Sequence, residues 1–417
     1  MPLDRIDIIS PISYSDRRTG TRGRGADGPF APNLSKQGWR TATESKVLWG
    51  ISMESRRDFL QLGILRLLAL RGMFGMRSSG LVPVAAEPQV DLRQARYVSL
   101  IATLVKEHQF DPAALRASFS KAALKPKIIE TLDRPPEALP LYKYRGRFIN
   151  DALIERGRSF LAEHRTLLQT VEAEFGVDDE IICGILGVET KFGQPGLEPY
   201  RAFDVLNTIF SLYPRREDFY RNELIQFMRL CRDERLDPFE VKSSYAGAMG
   251  MPQFMPSSFQ KYALDYDRDG KRNLWSATGD VCASVANYLK IFGWKKGGLM
   301  FLPARLTKDT PALREKLGAR KILSVAEATR LGIDIEAPTA TPVGKDDKVS
   351  FARYEPQAGE ERWLALFGNF RALLHYNLSV NYALTLIDLS RLLIPEAQTA
   401  TPTPSPDPAP TPSVVSP

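Results

Sequence analysis

Cysteine and histidine, on which most metal and nucleophilic sites depend, are scarce in this sequence. Three cysteines stand among 417 residues: Cys183, Cys231 and Cys282. Their spacings match no zinc or redox motif and each has apolar neighbours, so they read as inert buried thiols. The three histidines, His108, His164 and His375, lie far apart. There is no H-E-x-x-H zinc motif, no G-x-S-x-G elbow and no Walker loop. Gly23-Arg-Gly25-Ala-Asp-Gly28 does fit G-x-G-x-x-G, but no strand pattern precedes it and no helix pattern follows, so it reads as flexible chain. No apolar run reaches the ~18–20 residues of a membrane span. Strand-like alternation is scarce, and no repeat is visible.

What is present describes a globular chain with addressing segments. A hydrophobic fraction of 43% and a charged fraction of 25% suit a protein that buries a substantial core. The formal charge of +7 suits anionic partners: nucleic acid, membrane surfaces or acidic envelope polymers. Charge alone does not choose among them. Residues 1–86 read as a leader. Within it, Met53-Glu-Ser-Arg56-Arg57-Asp-Phe59-Leu60 resembles a twin-arginine export signal, with Met53 as the natural start. The apolar stretch Leu60 to Leu70 follows, and Val84-Ala85-Ala86 suits signal-peptidase cleavage. Arg66 and Arg71 interrupt that apolar region, which leaves an amphipathic surface helix as the alternative. The lack of a cysteine near the N-terminus speaks against a lipid anchor, so the expectation is a soluble, exported, periplasmic protein. Residues 396–417 form a Pro/Thr tract with no means of burying surface.

Between these ends, apolar residues recur at helical spacing in 96–106, 151–175, 178–190, 217–233, 278–292 and 380–393. The best strand candidates surround Val349-Ser-Phe351 and Trp363-Leu-Ala-Leu-Phe367, enough for a small sheet or hairpin. The expectation is one mainly α unit over 88–395, with lobes around a cleft.

Candidate chemistry concentrates in two segments. In Asp178-Asp-Glu-Ile-Ile-Cys-Gly-Ile-Leu-Gly-Val-Glu189-Thr-Lys-Phe-Gly193, Asp178 or Asp179 can cap a helix start and Gly193 can end it. Ile182, Ile185 or Leu186, and Glu189 then share one apolar face. A carboxyl on that face is poorly solvated and stays protonated near neutrality, as a general acid requires. Gly184 and Gly187 each cost roughly 1 kcal/mol in a helix interior, which points to close approach by another backbone or a ligand. The alternative is a helix-terminal glutamate paired with Lys191 or an arginine. The second segment, Lys242-Ser-Ser244-Tyr-Ala-Gly247-Ala-Met-Gly250-Met-Pro-Gln253-Phe-Met-Pro256-Ser-Ser-Phe259, crowds small residues into one turn. Its polar and aromatic groups suit a sugar site, and its alternative is a structural turn.

These residues, G-V-E-T-K-F-G, Y-P-R-R, S-Y-A-G-A-M-G-x-P-Q-F-M-P-S-S-F, L-W, S-V-A-N-Y and H-Y-N-L-S, closely resemble the lytic murein transglycosylase B family from about Tyr142 to Leu389. The resemblance implies a lysozyme-like helical core, about 140–300, flanked by an α domain and a small β-containing subdomain. It places Glu189 at the catalytic acid/base position. Tyr144, Ser244, Gln253, Tyr288, Tyr376 and Asn377 fall where the family lines its saccharide cleft, and Arg215 and Arg216 fall at basic positions suited to the stem peptide. His375 departs from the arginine more usual there. The implied reaction is non-hydrolytic cleavage between N-acetylmuramic acid and N-acetylglucosamine. Glu189 protonates the leaving oxygen, then deprotonates the C6 hydroxyl that attacks C1, leaving a 1,6-anhydro end. A hydrolase would need a second carboxylate, for which Glu198 and Asp204 are nearest downstream. A non-catalytic peptidoglycan-binding scaffold is the third reading. Expected partners are peptidoglycan strands and cell-wall enzyme complexes, not nucleic acid, with the chain acting as a monomer.

No cofactor is expected for catalysis. Asp265-Tyr-Asp267-Arg-Asp269-Gly270-Lys271-Arg-Asn273 nevertheless carries acids at alternate positions and the glycine of an EF-hand calcium loop. Ser276 replaces the closing glutamate, and Asp280 can close a longer loop, as in members of the family. The expected ligands to a structural calcium are Asp265, Asp267, Asp269, the Lys271 carbonyl and Asp280. The alternative is a solvated acidic turn.

Overall fold

A computed structural model describes residues 88–133 and 139–394. The export-signal candidate and the Pro/Thr tract lie outside the described residues. The N-terminal part comprises α1 (Ala95–His108), α2 (Pro112–Phe119), α3 (Lys127–Leu132) and α4 (Leu141–Arg145). The central part holds α5 (Asp151–Glu163), α6 (Arg165–Phe175), α7 (Asp179–Thr190), α8 (Ala202–Leu212), α9 (Glu217–Asp233), α10 (Pro256–Tyr262) and α11 (Thr278–Ile291). Two short strands there, β1 (Tyr200–Arg201) and β2 (Lys242–Ser243), pair antiparallel.

The small sheet follows, built from β3 (Phe301–Leu306), β4 (Leu323–Ser324), β5 (Ile333–Ile335), β6 (Lys348–Gln357) and β7 (Glu360–Leu366) in the order β4-β6-β7-β3-β5. Two short helices, α12 (Pro311–Lys316) and α13 (Val325–Arg330), accompany it, and α14 (Gly368–Tyr376) and α15 (Val380–Leu393) return the chain to the helical body. Its β6–β7 hairpin is the pair expected from the sequence. The sheet has its own small core around Leu302, Ile333, Val349, Phe351 and Ala365, while the main core runs through the helices. Each layered part thus buries its own apolar face. The result is a mainly helical body with a small sheet subdomain, as the sequence suggested.

Several elements depart from the expectation. The helical run 151–175 is two helices, broken at His164, whose backbone leaves the helical region at φ −104°, ψ 18°. Helix α8 was not anticipated, although Asp204, Asn207, Thr208 and Ser211 set a polar face at helical spacing. That face meets buried partners rather than solvent, and nine residues, Ala202 to Phe210, are buried. For α7 the one-sided stripe is replaced by complete enclosure, since every residue from Ile181 to Thr190 is buried. It ends at Thr190, earlier than Gly193 suggests, because Lys191 and Phe192 themselves take left-handed conformations. Their amides return to the carbonyls of Gly187 and Leu186 and satisfy the helix end.

Helix α15 crosses α7 closely enough that the two glycines of α7 are required. A Cβ on Gly184 would lie 2.2 Å from Ser390 Oγ and 3.1 Å from the Leu386 carbonyl, and one on Gly187 would lie 2.8 Å from Leu389. The close approach anticipated for these glycines is therefore by another helix.

Candidate active site

The Glu189 carboxyl, at the end of α7, is 9% exposed. Tyr382, on α15 and fully buried, donates its hydroxyl to Glu189 Oε1 at 2.7 Å. Burial pushes the carboxyl up to about 8, against the opposing pull of that hydroxyl. Burial wins because a charged carboxylate loses far more hydration than one neutral donor returns. Neither Lys191 nor any arginine of the described residues pairs with Glu189, so the ion-pair alternative fails. Tyr382 was not singled out from sequence; its partner is 193 residues away, and its place on a helical apolar face reads simply as core.

The turn 244–254 is fastened against this helix end from several sides. Thr190, beside Glu189, donates its hydroxyl to the Met251 carbonyl at 2.9 Å. Tyr376 donates to the Pro252 carbonyl at 2.5 Å, and Tyr220 to the Ala246 carbonyl at 3.2 Å. Met249 and Phe254 exchange backbone hydrogen bonds. Gly250 has φ +69°, and a Cβ there would lie 2.6 Å from the Leu274 carbonyl, so no side chain is tolerated. Glu198, on the connection after α7, accepts from the Gly250 amide at 2.7 Å and from Gln253 Nε2 at 3.2 Å. Burial raises its carboxyl to about 7 despite these donors.

Three of the singled-out residues share one cavity, and Glu189 is not among its lining residues. Gln253, Tyr288 and Tyr376 line a cavity of 260 Å³. Glu189 is also near enough to Tyr376 to help hold that phenol protonated. The Tyr288 hydroxyl donates to the His375 carbonyl at 2.6 Å, so both tyrosines present ring faces rather than free hydroxyls. Tyr144 is buried beside Phe148 and within electrostatic reach of Tyr382. Two residues serve the turns as well: Ser244 Oγ accepts from the Ala248 amide, and Asn377 Oδ1 from the Ser379 amide. Arg215 and Arg216 do not line the cavity. Arg216 is buried, near Tyr220, and Arg215 faces solvent. The cations that do line it are Lys261, Arg320 and Arg371, with His375, and no carboxylate is among the lining residues.

Asp204 is held in a structural network. Its carboxylate is buried, pairs with Arg201 at 2.7 Å and accepts from the Ala123 amide. The three cysteines are buried free thiols.

The acidic loop brings carboxylate oxygens of Asp265, Asp267 and Asp280 within 4.8 Å of one another. Asp265 Oδ1 is buried without a hydrogen-bond partner, the condition of an oxygen suited to a hard cation. Asp280 is fixed by the Tyr266 and Asn273 amides. Asp269 stands outside this cluster: its Oδ1 accepts from the Lys271 amide at 2.8 Å within its own turn.

The transglycosylase SLT domain family matches residues 93–391. Membrane-bound lytic murein transglycosylase B of Escherichia coli (strain K12) is 33% identical over 298 residues, covering 69% of this chain and 80% of that protein. The solved soluble lytic transglycosylase SltB1 of Pseudomonas aeruginosa superposes with a TM-score of 0.64 at 35% identity, covering 72% of this chain and 99% of that one. The E. coli lytic transglycosylase Slt35 in complex with calcium gives 0.65 at 31% identity, covering 74% and 95%. With the matched region holding the buried glutamate, the fastened turn and the cavity, the chain belongs to the SLT-domain lytic murein transglycosylases.

Proposed function

We propose that this chain cleaves the β-1,4 bond between N-acetylmuramic acid and N-acetylglucosamine without water, leaving 1,6-anhydro ends, with Glu189 as its single acid/base. The carrying observation is a buried glutamate held protonated near neutrality, at about 8, with the other candidate carboxylates engaged elsewhere. Glu189 gives its proton to the glycosidic oxygen as the bond breaks. The resulting carboxylate then takes the proton of the C6 hydroxyl as that oxygen attacks C1. Tyr382 keeps the carboxyl aimed and its charged form tolerable between the two transfers. Hydrolysis would need a base to activate water. Asp204 is consumed by Arg201, and Glu198 by the turn, which favours the non-hydrolytic route. The intact Glu189 argues against a scaffold without activity.

The substrate reading rests on ring faces of Tyr288 and Tyr376 together with a cation-lined wall, features that suit a glycan bearing acidic peptides. A structure of SltB3 from Pseudomonas aeruginosa, 26% identical, holds NAG-NAM-pentapeptide. Peptidoglycan strands are accordingly the proposed partner, met by a monomer or within cell-wall enzyme complexes. Export to the periplasm through the Arg56-Arg57 signal is part of the same proposal. No helix of the described residues is long and apolar enough to cross a membrane. A structural calcium on Asp265, Asp267 and Asp280 completes it.

The test is Glu189→Gln, which keeps shape but neither gives nor accepts the proton. General acid–base catalysis contributes about 10²–10⁴-fold, and the loss here should reach or exceed the upper end, because one group serves both steps. Mass spectrometry of digested murein reads the product. Anhydro ends from the wild type and none from the variant are expected; reducing ends would assign hydrolysis, and an active variant would remove Glu189 from the role.

A further inference from the structure

We infer that Glu198 is a positioning residue: it holds the Gln253 amide so that only the amide oxygen faces the cavity, making Gln253 an acceptor for an N–H or O–H group of the bound glycan. The inference rests on the glycan-cleaving reading above.

A glutamine amide ordinarily offers two N–H donors and one oxygen. Here Gln253 Nε2 lies 3.2 Å from Glu198 Oε1 and 3.0 Å from the Gly250 carbonyl. The carbonyl is an acceptor in every state and the carboxylate is one when ionised. Rotating the amide by half a turn would set its oxygen against both, so the orientation follows from chemistry rather than from choice. Both N–H groups are thereby occupied. What remains is Oε1, on a side chain that lines the cavity beside Tyr288 and Tyr376.

Glu198 is one of several fastenings of the turn, whose backbone is held also by Thr190, by Tyr376 and by the Met249–Phe254 pair. The Glu198 contacts fall on the Gly250 amide and on Gln253, the polar one of the two side chains of the turn, Gln253 and Phe254, that line the cavity. The groups acting on its ionisation are burial, which keeps the carboxyl near 7, and those two neutral donors; no charged side chain contributes. Its acceptor strength therefore grows as pH rises through neutrality.

The experiment compares glycan binding and turnover across variants, using peptide-free GlcNAc–MurNAc oligomers. In a Glu189→Gln background, which separates binding from reaction, adding Glu198→Ala should weaken affinity by up to about tenfold, the scale of one hydrogen bond. In the active enzyme, Glu198→Ala should raise KM by a similar factor with kcat changed less than about twofold. Glu198→Gln can still accept through its own Oε1. It should keep wild-type affinity at pH 8 while losing the wild type's tightening of affinity between pH 6 and 8. Thermal melting of each variant checks that the fold is retained. Wild-type affinity for Glu198→Ala, pH dependence surviving in Glu198→Gln, or a loss of kcat alone would overturn the inference. The product formed by the wild type tests the glycan-cleaving reading separately.

Discussion

At Glu189 a buried acid meets a single hydroxyl donor, and the balance sets how stability depends on pH. The carboxyl stands at about 8 in the fold, against an ordinary value of 4.5. A folded-state value raised above the unfolded one means that the unfolded chain loses its proton first. The stabilisation from a buried neutral acid is therefore complete below about 4.5 and is lost as pH climbs to about 8. Each unit of difference is worth about 1.4 kcal/mol. Glu189→Gln carries no such liability. Its melting temperature should match the wild type near pH 4 and exceed it by several degrees at pH 8; a difference constant across that range would contradict the buried-acid account. Glu189 could be found in sequence because its segment is dense with signals and because the family motif surrounds it. Tyr382 could not, since helical spacing records which face a residue occupies and never which distant group it meets. Arg215 and Arg216 show the same limit: a paired cation in a motif does not say which cavity it lies beside, and neither lines this one. Lys261, Arg320 and Arg371, drawn from a helix, a loop and a helix well separated in sequence, come together only through the fold.

Among elements, the pairing of α7 with α15 decides whether the tyrosine reaches the glutamate. Gly184 sits where the helices nearly touch, and an added methyl would press on both Ser390 Oγ and the Leu386 carbonyl. Overpacking of this kind costs about 1–3 kcal/mol, offset in part by alanine's better helix propensity. Gly184→Ala should lower stability by that order and reduce activity by shifting Tyr382. Adding Ser390→Ala removes the nearest clash and should recover part of both; the Leu386 carbonyl contact remains. Denaturant unfolding of the two variants checks the argument, and an absence of rescue would place the strain elsewhere. Helices α9 and α11 were read along the chain, whereas α8 was missed although Asp204, Asn207, Thr208 and Ser211 mark a polar face at helical spacing. Strands β3, β4 and β5 were missed because they are short and, in β3, interrupted by Pro303. Their pairing comes from strands distant along the chain, β3 with β5 and β7 and β4 with β6, so local sequence carries little trace of them.

Across the whole molecule, the acidic loop is the place where an ion would join separate parts of the main core. Asp265 and Asp267 belong to the turn after α10, and Asp280 to the first turn of α11. The Leu264 amide also donates to Ser284 Oγ of that helix at 2.9 Å. One turn further on, α11 carries Tyr288, whose ring lines the cavity and whose hydroxyl holds the His375 carbonyl. Without a cation, three carboxylates within 4.8 Å repel one another and Asp265 Oδ1 stays unsatisfied. A ligand that binds only the folded state stabilises it by about 2.7 kcal/mol at a hundredfold excess over Kd. Millimolar calcium should therefore raise the melting temperature by a few degrees over that in chelator. Asp267→Ala should remove most of the gain. Asp269→Ala should leave it largely in place, because that carboxylate lies outside the cluster of Asp265, Asp267 and Asp280. Magnesium should do less, since it demands a smaller octahedral shell and sheds water reluctantly. Turnover should change little in any of these conditions, for the proton transfers run through Glu189 and the loop acts on the cavity only by way of Tyr288. Equal melting curves with calcium and with chelator would make the loop an acidic turn alone. Equal losses from Asp267→Ala and Asp269→Ala would restore Asp269 to the ligand set.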